Sequence, residues 1–151
     1  MKRRYEPIKR TSELDRLVEE FYRENFWDEI KGDNIPDQNL ANLMFDVSVN
    51  GGVYRGVSYL QRALNLCNRG EKDYNDLEVD GKIGSETLDA LRKYLLKKRD
   101  INVLMLYYSA QMITHWMDRA EKIESQEEAI NGIGNRWVAN IKHIADKYYL
   151  S

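Results

Sequence analysis

The sequence predicts an all-α fold, a single domain over residues 1–151 built of about six helices. Three observations predict it. Apolar residues recur at three- and four-residue intervals in successive segments, as one face of a helix requires. Residues that start and stop helices stand at the ends of those segments. Only two prolines occur in 151 residues, which favours long helices over a strand-and-turn architecture. With 42% hydrophobic and 32% charged residues, the chain has the composition of a globular domain with a core of its own.

The first helix is expected from about Ser12, with Leu14, Leu17, Val18 and Phe21 on one face, closing near Trp27 and Ile30. Lys31 to Pro36 reads as a turn, and Pro36 suits the first turn of a second helix. That helix carries Leu40, Leu43, Met44 and Val47, then meets Asn50-Gly51-Gly52, where a glycine supplies the left-handed stop. The third shows Val53, Val57, Leu60 and Leu64 and ends near Asn68-Arg69-Gly70. Glu71 to Lys82 is a polar loop. Ser85 and Thr87 open a fourth helix with Leu88, Leu91 and Leu95. The fifth runs from about Ile101 to Ile123, with Leu106, Ala110, Ile113, Met117 and Ala120 as its core stripe. Ser125 to Glu128 forms a capping box for a sixth, whose stripe is Ile130, Ile133, Trp137, Ile141, Ile144 and Tyr148. A core face is expected on every helix.

The formal net charge of −2 gives no bulk field toward nucleic acid, and no nucleic-acid partner is expected. The basic residues Lys2, Arg3, Arg4, Lys9 and Arg10 read as a solvated arm. Cys67 is alone, which excludes an intramolecular disulfide and a cysteine metal cluster. No apolar run reaches the ~18 residues of a membrane span. The charged residues after Met1-Lys2-Arg3-Arg4 break the pattern of a secretion signal. The expectation is a protein made in the cytoplasm.

Asp46 and Asn50 are four residues apart and share a helix face, beside the Leu43/Met44/Val47 stripe. Gly51 and Gly52 leave the helix end bare, so a ligand can approach closely. A carboxylate and an amide there suit sugar hydroxyls. The same residues can equally cap turns and bond neighbouring backbone. Asp76, Glu78, Asp80 and Gly81 imitate the start of a calcium loop, but the twelfth position is Thr87 where a bidentate Glu is needed. A tight turn is expected there, with no metal and no cofactor. His115 and His143 have no carboxylate at ligand spacing and receive no role. Trp27, Tyr54 and Tyr59 are the aromatic residues nearest the turns that flank the Asp46/Asn50 segment.

Four motifs carry a resemblance. Tyr22-Arg23 to Trp27 resembles "YR-x-x-[YF]-W", and Phe45-Asp46-x-x-Val49-Asn50-x-Gly52 resembles "FD-x-x-VN-x-G". Leu60-Gln61-Arg62-Ala63-Leu64 is similar to "LQ-x-AL", and Val79 to Leu91 to "VDG-x-x-G-x-x-TL-x-AL". Their order and spacing resemble glycoside hydrolase family 108, the phage-type N-acetylmuramidases also called secretion activators, with a peptidoglycan-binding C-terminal region. The match is best over residues 20–91. Gly132-Ile133-Gly134-Asn135-Arg136 is similar to the family's "GW-x-x-R", with Ile133 at the Trp position.

The resemblance implies a lysozyme-like fold and peptidoglycan glycan strands as partner, at the bacterial cell wall if the protein is exported. It implies cleft roles for Asp46, Asn50, Gly51, Gly52, Trp27 and Tyr54. Family members carry their catalytic acid in an "EGG" motif upstream of the matched region. No Glu-Gly-Gly occurs in this sequence, so no residue is assigned a catalytic role. Two further readings stand beside a muramidase: a non-catalytic peptidoglycan-binding module, and a structural helical protein that keeps the fold.

Overall fold

The computed structural model describes residues 11–97, 99–123 and 131. The basic arm, the capping box at Ser125, the sixth helix with Trp137 and His143, and the Gly132–Arg136 motif lie outside the described residues. Among the described residues there are five α-helices and no strand: α1 (Ser12–Tyr22), α2 (Gln38–Gly51), α3 (Val53–Cys67), α4 (Ser85–Leu96) and α5 (Ile101–Lys122). The fold is all-α, as its periodicity predicts.

α1 starts where Thr11 Oγ1 accepts from the Leu14 amide at 3.1 Å. It buries no residue: Leu17, Val18 and Phe21 are exposed, contrary to the expected core face. The chain meets the core in a π-helical turn, Arg23–Trp27, whose Trp27 packs against it and which is closed by the Asp28 amide on the Arg23 carbonyl at 2.8 Å. Ile30 is the first of the described residues to be fully buried. Lys31 then adopts a left-handed conformation (φ 49°) that turns the chain through a short 3₁₀ segment, Gly32–Asn34.

α2 is capped by Asp37, whose carboxylate accepts from the Leu40 amide at 2.9 Å, so Pro36 precedes the cap rather than opening the first turn. Leu40, Leu43, Met44 and Val47 are buried on its inner face. Gly52 (φ 92°, ψ 153°) is the whole connection to α3. That backbone region is essentially confined to glycine.

α3 is the central helix, with Val57, Leu60, Ala63 and Leu64 completely buried. It lies close against α2 because residue 56 is glycine. A Cβ there would sit 2.0 Å from Ser48 Oγ and 3.1 Å from the Met44 carbonyl. α5 also packs on α3, where the buried Tyr108 hydroxyl donates to the Gly56 carbonyl at 2.7 Å. The Gln111 amide donates to the Tyr59 carbonyl at 2.9 Å. These anchors correct the expected α5 stripe. Leu104, Tyr108, Ser109 and Met112 are buried, while Leu106 and Met117 are about half exposed. Apolar residues surround α5 on nearly every side, so periodicity alone does not choose a face; the Tyr108 hydroxyl bond does.

The segment between α3 and α4 is fixed by side chains of α3. Asn65 brackets Leu77, donating to its carbonyl at 2.9 Å and accepting from its amide at 2.7 Å. Tyr74 donates to the Leu64 carbonyl at 2.6 Å, and Asn68 bonds Asp76. Gln61, 1% exposed, holds the turn at 80–82. Its Oε1 accepts from the amides of Asp80 (3.2 Å) and Gly81 (3.0 Å). Its Nε2 reaches Asp80 Oδ1 (2.9 Å), the Lys82 carbonyl (3.0 Å) and Thr87 Oγ1 (3.2 Å). The "LQ-x-AL" and "VDG-x-x-G-x-x-T" motifs are thus two halves of one hydrogen-bonded clamp. α4 packs on this frame through Leu88, Leu91 and Tyr94. The Tyr94 hydroxyl donates to the Asp100 carbonyl at 2.7 Å, just where Asp100 caps α5.

Candidate functional site

α3 carries a second face at the margin of the core, with Ser58 and Tyr59 buried and Tyr54 and Arg62 exposed. With Val57, Leu60 and Leu64 pointing inward, residues 54, 55, 58, 59 and 62 fall together on another side at helical spacing. A groove of about 510 Å³ runs along that face, lined by Tyr54, Arg55, Ser58, Tyr59 and Arg62 of α3 and by Val79 of the clamped loop. No carboxylate is among these residues.

Tyr54, at 61% exposure, offers a ring face to solvent. Its other contact is Gly81 (φ 70°), where an added Cβ would lie 2.2 Å from the Tyr54 ring. The glycine lets the turn slide beneath the ring, and Gln61 holds it there through the Gly81 amide. Arg55 is half-buried, and its Nη1 donates to the Gly51 carbonyl at 2.9 Å. Burial pushes the Tyr59 phenol above its ordinary pKa, while the charges of Arg55 and Arg62 pull it partway back. Both guanidiniums therefore act on the Tyr59 oxygen. From α5, His115 faces the same region: burial first, then the Arg55 and Arg119 charges, lower its pKa, against the opposing pull of Asp118. The field over this face is positive.

Asp46 and Asn50 stand on the exposed side of α2. Asn50 Nδ2 donates to the Asp46 carbonyl at 2.8 Å, a bond within its own helix. Gly51 and Gly52 follow directly, and nothing approaches within 4 Å of a Cβ built on Gly52, so the junction is open to a ligand. Arg55 joins this junction to the groove through its bond to the Gly51 carbonyl, and Tyr54 follows Gly52 by two residues. Trp27 is in another corner. Its indole lies against Gly32 (2.2 Å from an added Cβ), meets the Phe45 ring edge-on at 5.8 Å, and donates to Asp33 Oδ1 at 2.9 Å. Arg23 completes that corner by donating to Asp33 Oδ2 at 2.8 Å.

The acids of the calcium-like segment face different partners. Asp80 bonds Gln61 and the Lys82 amide, which hold its carboxyl below the usual aspartate value, and Asp76 bonds Asn68. No three His, Cys, Asp or Glu converge at metal-binding distance among the described residues. No described helix is long and apolar enough to cross a membrane. Glu19, Glu20, Glu24 and Glu29 are all exposed. The Asp73 side chain is 3% exposed but lies between Arg99 (3.2 Å) and Arg69 (4.0 Å).

Sequence reasoning passed over Arg55, Ser58, Arg62 and Val79. The α3 positions carried a usable signal: polar residues at 55, 58 and 62 keep i, i+3, i+7 spacing opposite the apolar stripe. Val79 carried none, since only the Gln61 clamp brings it to the helix.

Comparison with known proteins divides the chain near the α2–α3 junction. Residues 3–52 match the family described as Glycosyl hydrolase 108, and residues 55–140 match the one described as Predicted Peptidoglycan domain. No curated protein sequence matches the chain. Five of the six groove residues fall in the second match; Trp27, Asp46, Asn50, Gly51 and Gly52 fall in the first.

Proposed function

The chain belongs to the Predicted Peptidoglycan domain family, and from that premise we propose that the α3 groove is the face on which it holds a glycan strand. With its N-terminal third similar to Glycosyl hydrolase 108, it is a peptidoglycan-directed, lysozyme-like protein. The observation that carries the groove reading is Tyr54: an exposed ring, packed against Gly81 and two residues beyond the open Gly52. Such a ring stacks on the apolar face of a sugar. Asp46 and Asn50, on the last two turns of α2 before the Gly52 junction, would receive hydroxyls of the same strand. Arg55, Tyr59 and Arg62 add hydrogen-bonding groups along the next ~10 Å of α3. The role proposed for this chain is binding, within a muramidase of phage or prophage type, at the bacterial cell wall.

Co-sedimentation with purified insoluble peptidoglycan tests this. The chain should pellet with the polymer, and Tyr54→Ala should weaken retention about tenfold, the loss of one stacked ring. A circular dichroism melt checks that the variant is folded. A chain that stays in the supernatant, or a folded Tyr54→Ala retained like the parent, refutes the groove reading.

A second reading, hydrolysis of the β-1,4 bond between N-acetylmuramic acid and N-acetylglucosamine, is favoured by the match over residues 3–52. Clearing of a cell-wall suspension by the purified chain reads it out independently of retention.

A further inference from the structure

The two guanidiniums of the groove set it apart from a neutral sugar site. Arg16, Arg23, Arg69, Arg92 and Arg99 each have a carboxylate within 4.0 Å. Arg119 lies 6.0 Å from the centre of the Trp116 ring. Arg55 and Arg62 have no such carboxylate among the described residues, and none lines the groove. Arg55 gives one donor to the Gly51 carbonyl and is half-buried, so its charge is partly stripped of water. Its neighbours increase the positive field: the amino end of α3 begins two residues earlier, at Val53. The acid nearest in sequence to Val79 on its C-terminal side, Asp80, is already held by Gln61 and the Lys82 amide. A desolvated guanidinium without a counter-charge is costly to keep unless a ligand supplies one.

The glycan backbone of peptidoglycan is uncharged at its hydroxyls and acetamides, whereas the short peptide attached to it carries ionised carboxylates. We propose that Arg55 and Arg62 bind a carboxylate of the stem peptide, so that the groove reads sugar and peptide together. This rests on the glycan-binding reading above. Seven residues apart on α3, the two side chains stand about two turns apart, or ~10 Å, on one face. Tyr59 lies between them in sequence, its hydroxyl within the field of both. Planar guanidiniums with several free donors suit a carboxylate's paired oxygens better than a single hydroxyl.

Fluorescence polarisation with the full chain separates the alternatives. The probes are a labelled disaccharide–tetrapeptide with free carboxylates, the same molecule with its carboxylates converted to amides, and an N-acetylglucosamine oligomer without peptide. Free carboxylates should give at least about tenfold tighter binding than the amidated probe, with the advantage shrinking at high salt. Arg62→Gln, at an exposed position, should abolish most of that preference, bringing the affinities for the free and amidated probes to within about twofold of each other. Arg55→Gln should do the same, with its fold confirmed by melting. Equal affinity for free and amidated probes, or a preference that survives both substitutions, overturns the proposal. If the parent chain still sediments with peptidoglycan in that case, the glycan reading stands and only the carboxylate inference falls. Peptidoglycan stripped of phosphate-bearing wall polymers, with inorganic phosphate as competitor, supplies the last arm. Retention that depends on those polymers, or competition by phosphate alone, also overturns it.

Discussion

Replacing Gln61 by Met tests the clamp that shapes the groove. Methionine has nearly the length and shape of glutamine, so packing around position 61 is kept and only hydrogen bonds are lost. Five contacts disappear: two amides on Oε1 and three acceptors on Nε2. Asp80 and Lys82 are exposed and can turn to water, so their groups cost little. The Gly81 amide and the Thr87 hydroxyl belong to buried residues and cannot. An unsatisfied buried polar group costs about 1–3 kcal/mol. The hydroxyl can recover part of its loss on its own helix backbone, so a total of ~3 kcal/mol is expected. For a chain of this size that lowers Tm by about 10 °C. Thermal and urea unfolding followed by circular dichroism measure it. A second readout is the acid limb. Asp80 titrates below its ordinary 3.8, chiefly through the Gln61 bond. Its contribution is present above pH 3.8 and lost as pH falls through the lowered value. Gln61→Met should flatten that loss. A melting point within ~2 °C of the parent, with an unchanged acid limb, would refute the claim that this side chain holds the loop.

Gly56→Ala places a methyl 2.0 Å from Ser48 Oγ and should destabilise by about 2 kcal/mol despite alanine's better helix propensity. Adding Ser48→Ala should restore more than half in urea melts; no restoration means the strain lies elsewhere. His115 has a folded pKa below 6.5, set by burial, Arg55 and Arg119 against Asp118. Below pH 6.5 the unfolded chain takes up a proton that the folded chain resists, so stability should fall on acidification from 6.5 down to the folded value. His115→Gln should remove that slope, and an identical pH profile for both proteins contradicts it. Asp46→Ala with Asn50→Ala should leave the melting point unchanged, because both residues are exposed, yet weaken peptidoglycan retention about tenfold. Full retention would take the outer face of α2 out of the site.

Where local chemistry and burial agree, the sequence is sufficient. α2 and α3 show this: the 40/43/44/47 and 57/60/64 stripes are buried as spaced, and glycine divides the helices as expected. α5 was not legible in the same way. Its apolar residues surround the helix, and the choice of face is made by one hydroxyl on a carbonyl 52 residues away. α1 has a well-formed stripe that is left exposed, because periodicity reports amphipathicity and not what covers it. At the candidate site the helix positions were readable in principle, while the loop half was not. Val79 and Gly81 reach α3 through hydrogen bonds from Gln61, and a glutamine in a helix gives no local sign of its partner. The packing of Trp27 was likewise not legible: its closeness in sequence to the motifs gives no sign that its indole lies on Gly32 and Phe45 and donates to Asp33.

The single-residue connection at Gly52 has a consequence for how such a protein can be cut or recombined. Two families meet in the sequence there, at residues 52 and 55, so the junction invites use as a boundary for exchange or truncation. Mechanically it is no boundary. Met44 and Val47 on one side and Val57 and Leu60 on the other share one core, and Ser48 touches the position of Gly56. Severing the chain at Gly52 would strip both pieces along their longest common seam. Either half expressed alone should therefore aggregate or remain unfolded. Chimaeras between relatives should succeed only when α2 and α3 are inherited together.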